Sequence, residues 1–132
     1  MGKADLHIHT TYSMDGTASV CEVLEAAVRA GLDVIAITDH NEMRGSFAAR
    51  EICGGFGGEV IPGVEVSTRD GHLVALFVER EIPRGMSLID TLLLIRELDG
   101  LGIAAHPQQP VPNSITLQSI QKALEHPQAR EA

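Results

Sequence analysis

The chain has 132 residues, enough for one ordinary domain with a real core, and its aromatic content of only 3% makes that core aliphatic. A net charge of -8 argues against broad, sequence-independent nucleic-acid binding, which needs a basic surface. It leaves room for a phosphorylated substrate whose charge is met by bound cations. No apolar run approaches the ~18 residues that span a bilayer, and no long apolar segment precedes "HIHTTYS", so the expectation is a cytoplasmic protein with no membrane partner.

The elements follow in clear order. "ADLHIHT" alternates and reads as a strand. "SVCEVLEAAVRAG" places Val20, Val23, Leu24, Ala27 and Val28 at helical spacing, with Ser19 and Glu22 as a capping box and Gly31 as the stop. "LDVIAIT" is a continuous apolar run, the mark of a strand buried on both faces. "SFAAREIC" is a helix ended by "GGFGG". "EVIPGVEVS" is a third strand, kinked or irregularly paired at Pro62 and Gly63. "HLVALFV" is a fourth, joined to it by a tight hairpin. "SLIDTLLLIRELDG" is a helix capped by Ser87, "GIAAHP" a short buried strand, and "ITLQSIQKALEH" a last helix packing through Leu117, Ile120 and Leu124. Cys21 and Cys53 fall within helices and read as small buried hydrophobes. Strand-helix alternation of this kind predicts a mainly parallel α/β sheet, open or curved into a barrel.

Chemistry collects at the strand ends. The first strand ends in His7 and His9, the second in "TDHN" with Asp39 and His40, the third near Glu65, and the short strand in His106. Side chains at i and i+2 of a strand share a face, so His7 and His9 can reach one ion. One strand-end histidine would mean little, but several at equivalent ends are hard to explain as packing. Asp15 is a further candidate, although "MDG" is also an ordinary turn sequence. Asp39 is expected to support the loop or to orient a histidine. His126 reads as a solvated helix-end residue. His72 stays open: with Asp70-Gly71 as the turn it would pair with Arg69, leaving Glu65 four residues and ~13 Å along the strand.

These residues resemble the PHP family, the polymerase and histidinol phosphatase domain. His7, His9, Thr10 and Asp15 match its first motif; Thr38, Asp39 and His40 its T-D-H; Pro62, Gly63 and Glu65 its P-G-x-E; Ala105, His106 and Pro107 its A-H-P. His72 is similar to the histidine of its short-hairpin members. The resemblance implies a distorted (β/α)7 barrel that hydrolyses phosphate esters with divalent ions and metal-activated water, with no separate nucleophilic side chain. It implies one ion on His7, His9 and Glu65, a second on Glu65, His72 and His106, and a third on Asp15 and His40. Imidazole with carboxylate suits Mn, Fe or Zn. Arg69 is a candidate phosphate contact, since a guanidinium matches phosphate oxygens.

The family's late D-x-H motif has no match after His106. A seven-strand barrel of this type normally takes ~200 residues or more. The expectation is therefore a single domain over 1–132 resembling the N-terminal part of the family fold, a partial barrel of about five strands with flanking helices, holding at most two ions well. Its open edge would favour homo-oligomers. The expected substrate is a small phosphorylated metabolite, a nucleotide or an oligonucleotide end. The alternative is a non-catalytic metal-binding or interaction module derived from such an enzyme.

Overall fold

The structure is a computed structural model that describes residues 1–132, the side chain of Cys53 excepted; the expectation of a buried Cys53 lies outside the described residues. Five strands form one curled sheet in the order β1 (Ala4–Ile8), β2 (Val34–Ile37), β3 (Glu59–Thr68), β4 (Gly71–Leu76), β5 (Leu101–Ala104). The predicted strands are all present, but the sheet is mixed, and β5, expected to be buried, is an edge strand with Leu101 and Ile103 exposed because among the described residues no further strand covers it. β1, β2 and β3 pair in parallel, whereas β4 runs antiparallel to both β3 and β5. The hairpin strand reverses direction because its turn is too short for a crossover. β5 therefore points the same way as β1 to β3.

β3 changes partner at the predicted kink. Its first half pairs β2 up to Pro62, and from Gly63 onward it pairs β4. Proline has no N–H to offer a ladder, so the switch falls where one bond is missing anyway. This change of partner helps curl the sheet into a half barrel.

Helices cover the convex side in two groups. α1 (Val20–Ala30) carries the predicted capping box at Ser19 and Glu22 and ends at Gly31 in the left-handed region, φ 65°. With α2 (Arg44–Ile52) it packs Val20, Val23, Leu24, Ala27 and Ala49 against Ile35, Ile37 and Val60. Cys21, expected inside, is exposed because it lies one residue off the Val20–Val23–Leu24–Ala27 stripe, and Val28 is exposed as well. α3 (Leu88–Glu97), capped by Ser87, packs Leu88, Leu92 and Ile95 over Val64, Val66, Leu73 and Ala75.

α4 (Leu117–Glu125) departs from expectation. It buries Ala123, with Ile120 partly buried, and leaves Leu117 and Leu124 exposed. The helix meets the core through its small residue, so its leucines flank the contact. His126 caps it half-buried rather than fully solvated, its Nδ1 accepting the Ala129 N–H at 3.2 Å. A third cluster lines the concave side: Leu6, Val34, Ala36, Ile61, Val74, Leu76 and Ala105. Among the described residues no helix is long and apolar enough to cross a membrane.

Candidate metal centre

The site sits at the edge where β1, β2, β3 and β5 end and β4 begins. His7, His9, Asp15, His40, Glu65, His72 and His106 line one pocket of about 300 Å³, together with Val111 and Pro112.

A bulge aims the first pair. Asp5 pairs Ile35 and Ile8 pairs Ile37, so β1 spends one more residue than β2 over the same interval. Leu6 packs in the concave cluster while Ile8 packs under α1 and α2. The extra residue lets His7 follow Leu6 onto the concave side, a common use of bulges beside functional sites.

The hairpin brings in His72. The turn is Arg69-Asp70 rather than Asp70-Gly71, with Thr68 paired to Gly71 and Ser67 to His72. The face is unchanged, but His72 now stands two residues from Glu65 along the ladder instead of four. Its Nδ1 comes within 3.1 Å of Glu65 Oε1. Arg69 is exposed at the turn, its backbone N–H donating to Met86 O, and is not among the residues lining the pocket.

Glu65 is the hub. It is 1% exposed, and imidazole nitrogens of His7, His9, His40, His72 and His106 lie 2.9, 2.8, 3.4, 3.1 and 3.5 Å from its carboxylate. His7 Nε2, His9 Nε2 and Glu65 Oε2 form a triangle with edges of 3.0, 2.9 and 2.8 Å. Hydrogen bonds serve such a triangle poorly, because an ionised carboxylate brings no proton and two facing imidazole nitrogens compete for one. Edges near ~3 Å are the spacing of adjacent donors ~2.1 Å from a common ion. Buried His40 Nδ1, Glu65 Oε1 and His106 Nδ1 also lack a hydrogen-bond partner among the described residues. Buried polar atoms left this way call for a ligand. The donor set thus fits divalent ions.

Three groups of donors lie close enough to share an ion: His7, His9 and Glu65; His9, Asp15 and His40; and His40, Glu65 and His72. The second group differs from the implied pairing of Asp15 and His40 in also enlisting His9. In the third, His40 stands where the resemblance implied His106. Asp15, half exposed, bridges His9 Nδ1 and His40 Nε2 at 3.0 Å each.

Charge is tightly coupled here. Burial pushes Glu65 up, but hydrogen bonds from His7 and His9 and the nearby imidazoles outweigh it and hold the carboxyl well below the usual carboxylate range. The hydrogen bond to Glu65, aided by Asp15, raises His9 from 6.5 to about 9 against the opposing effect of burial. Asp15 is also lowered: burial opposes this, but the bonds from His9 and His40 prevail. Burial lowers His72, which favours the neutral imidazole that a metal needs.

Supporting residues hold the donors in place. Asp39 is fully buried and accepts from the Thr10 N–H at 2.6 Å and the Thr10 hydroxyl at 2.8 Å, fixing the loop after β1; none of its hydrogen bonds is to a histidine. α2 starts directly against this clamp, and a Cβ at Gly45 would overlap Asp39 Oδ2. Ser13 Oγ accepts the His40 N–H at 2.7 Å. Asn41 was not foreseen. Its side-chain Oδ1 accepts the Ser67 N–H and its Nδ2 donates to Ser67 Oγ, both at 2.9 Å, while its own N–H donates to Glu65 O at 2.8 Å. Its φ of 53° is a conformation asparagine tolerates, which was the available signal in "TDHN".

A PHP domain model matches residues 5–124. An uncharacterized protein of Methanocaldococcus jannaschii is 40% identical over 119 residues, covering 83% of this chain and 70% of its own length. A phosphoribosyl 1,2-cyclic phosphate 1,2-diphosphodiesterase of Eggerthella lenta is 36% identical over 103 residues, 74% of this chain but only 39% of that enzyme. Among solved structures, a two-domain Bacteroides vulgatus protein containing a predicted PHP-like metal-dependent phosphoesterase superposes with TM-score 0.75 at 24% identity, over 93% of this chain and 41% of that one. That likeness is one of fold.

Proposed function

The chain belongs to the PHP domain family, and we propose that it is a metal-dependent phosphoesterase acting on a small phosphorylated metabolite, a nucleotide or an oligonucleotide end. The observation that carries this is Glu65, buried at the centre of five imidazoles with one carboxylate oxygen and two ring nitrogens around it lacking hydrogen bonds. The Eggerthella lenta relative, a cyclic-phosphate diesterase by name, supports a phosphate ester as substrate.

His7, His9 and Glu65 would hold one ion, and Glu65 and His72, with His40 or His106, would hold a second. Mn, Fe or Zn suits these donors. Asp15 and His40 make a weaker third place, because Asp15 is half exposed and His9 is already engaged by Glu65. When bound, divalent ions supply Lewis acidity toward a phosphoryl oxygen and a water acidic enough to attack near neutral pH. The protein's part is placement. Glu65 sets the separation of the two main donor groups. Asp39, through Thr10, fixes the loop that carries Asp15, and Asn41 locks the segment after His40 to β3.

The test is hydrolysis of a generic aryl phosphate with added Mn, comparing the wild type with a His7→Ala, His9→Ala double variant. Turnover lost in the variant is expected. Equal residual rates would remove the catalytic claim and leave the alternative, a metal-binding or interaction module without turnover.

We further propose that a second copy pairs at the sheet edge. β5 is an edge strand, and its Leu101 and Ile103 are 45% and 39% exposed on the concave side, opposite Leu76 and Val74.

A further inference from the structure

Two residues of the pocket wall are not donors. Val111 and Pro112 stand on the loop between β5 and α4 and supply its apolar lining, the other seven residues being His, Asp or Glu. Nothing in the sequence pattern marked "QQPVPN" as part of the site.

The loop is built to hold them there. It leaves β5 through His106 at φ 30°, turns at Gln108 with φ 58°, and returns through Asn113 at φ 67°. Three non-glycine residues in the left-handed region within eight positions persist only where surroundings over-determine them. Those surroundings are visible. Ser114 Oγ donates to His106 O at 2.8 Å and accepts from the Gln109 N–H at 3.0 Å. The Gln108 N–H donates to Ile115 O at 3.1 Å, and Ile115 is fully buried. Asn113 O accepts the His72 N–H at 2.7 Å. The loop is thus tied to His72 and His106, two of the donors, and its tip leaves Val111 49% exposed.

We propose that Val111 and Pro112 form a specificity wall that receives the organic group of a bound phosphate ester, selecting a nucleoside or aryl ester over a phosphorylated sugar or polyol. This rests on the phosphoesterase reading of the same site. A volume of about 300 Å³ exceeds what a bare phosphate fills and lies at the lower end of ligand-sized pockets. The seven polar residues of the pocket would be engaged by bound ions, leaving the hydroxyls of a sugar few partners beside the wall. A flat apolar ring loses nothing there and gains contact with the valine methyls and the proline ring.

The experiment is calorimetric titration of Mn-loaded protein with adenosine 5′-monophosphate, glycerol phosphate and inorganic phosphate, for the wild type and Val111→Ser. Val111 is half exposed at a loop tip, so the variant should fold, and its Mn affinity is measured separately. The expected result is that the wild type binds the nucleotide about tenfold more tightly than glycerol phosphate, a preference worth ~1.4 kcal/mol, and that Val111→Ser removes most of it. Equal wild-type affinities, or a Val111→Ser variant that keeps the full preference, would overturn the wall. Failure of the parent reading looks different: the nucleotide preference persists and depends on Val111, yet aryl phosphate is not turned over.

Discussion

Protons and metal ions should compete for His9, and the competition can be measured without any substrate. In the metal-free chain His9 is raised from 6.5 to about 9 by its bond to Glu65. A group whose pKa is raised on folding stabilises the fold fully below its unfolded value and loses that contribution as pH rises through its folded value. The stabilisation is therefore complete below pH 6.5, falls between 6.5 and about 9, and is absent above. A rise of this size corresponds to about 3 kcal/mol, with the Glu65 side of the pair describing the same interaction and counted once. Metal ligation needs the same nitrogen free of its proton. Half of His9 is still protonated at pH 9 and about 99% at pH 7, so apparent Mn affinity should be about 50-fold weaker at pH 7 than at pH 9. Urea unfolding of metal-free protein and Mn titration across this range supply both readings. Glu65→Gln removes the raising partner, so its unfolding free energy should fall much less over the same window. A wild type and a Glu65→Gln variant with the same pH slope, or Mn affinity flat from pH 7 to 9, would refute the reasoning.

Four other outcomes follow from the geometry. Asp39→Ala strips two buried bonds from Thr10 and should cost about 2–4 kcal/mol in urea unfolding, since one of the donors is a backbone N–H with no route to water. Asn41→Gly relieves the positive φ while Asn41→Ala does not; both lose the clamp on Ser67, so Ala should be less stable than Gly by about 1 kcal/mol, and both should bind Mn more weakly than the wild type. Metal analysis of purified protein should find at most two tightly held equivalents, and three would sink the donor count. Sedimentation at micromolar concentration should show self-association that Ile103→Lys abolishes, and a monodisperse wild-type monomer would count against pairing at β5.

The local order of this protein was written in its sequence. Apolar runs marked β2 and β4, helical spacing and caps marked α1 and α3, and the donor histidines stood at strand ends because that is where the sheet meets solvent, although the sheet is mixed rather than mainly parallel. Periodicity supplies a face but not a register, and several features of the site turn on register. The one-residue bulge in β1 sets His7 on the concave side after Leu6. A turn at Arg69-Asp70, one residue earlier than expected, brings His72 onto Glu65. Packing, not spacing, exposed Leu117 and Leu124, which flank the contact made by Ala123, whereas Cys21 is exposed because it lies off the stripe that the spacing of α1 itself marks. The order of donor types along the chain was thus fixed by sequence alone. Which nitrogens surround Glu65, and that Val111 and Pro112 stand over them, depends on strand partners and loop closures tens of residues apart, and only the tertiary structure decides those.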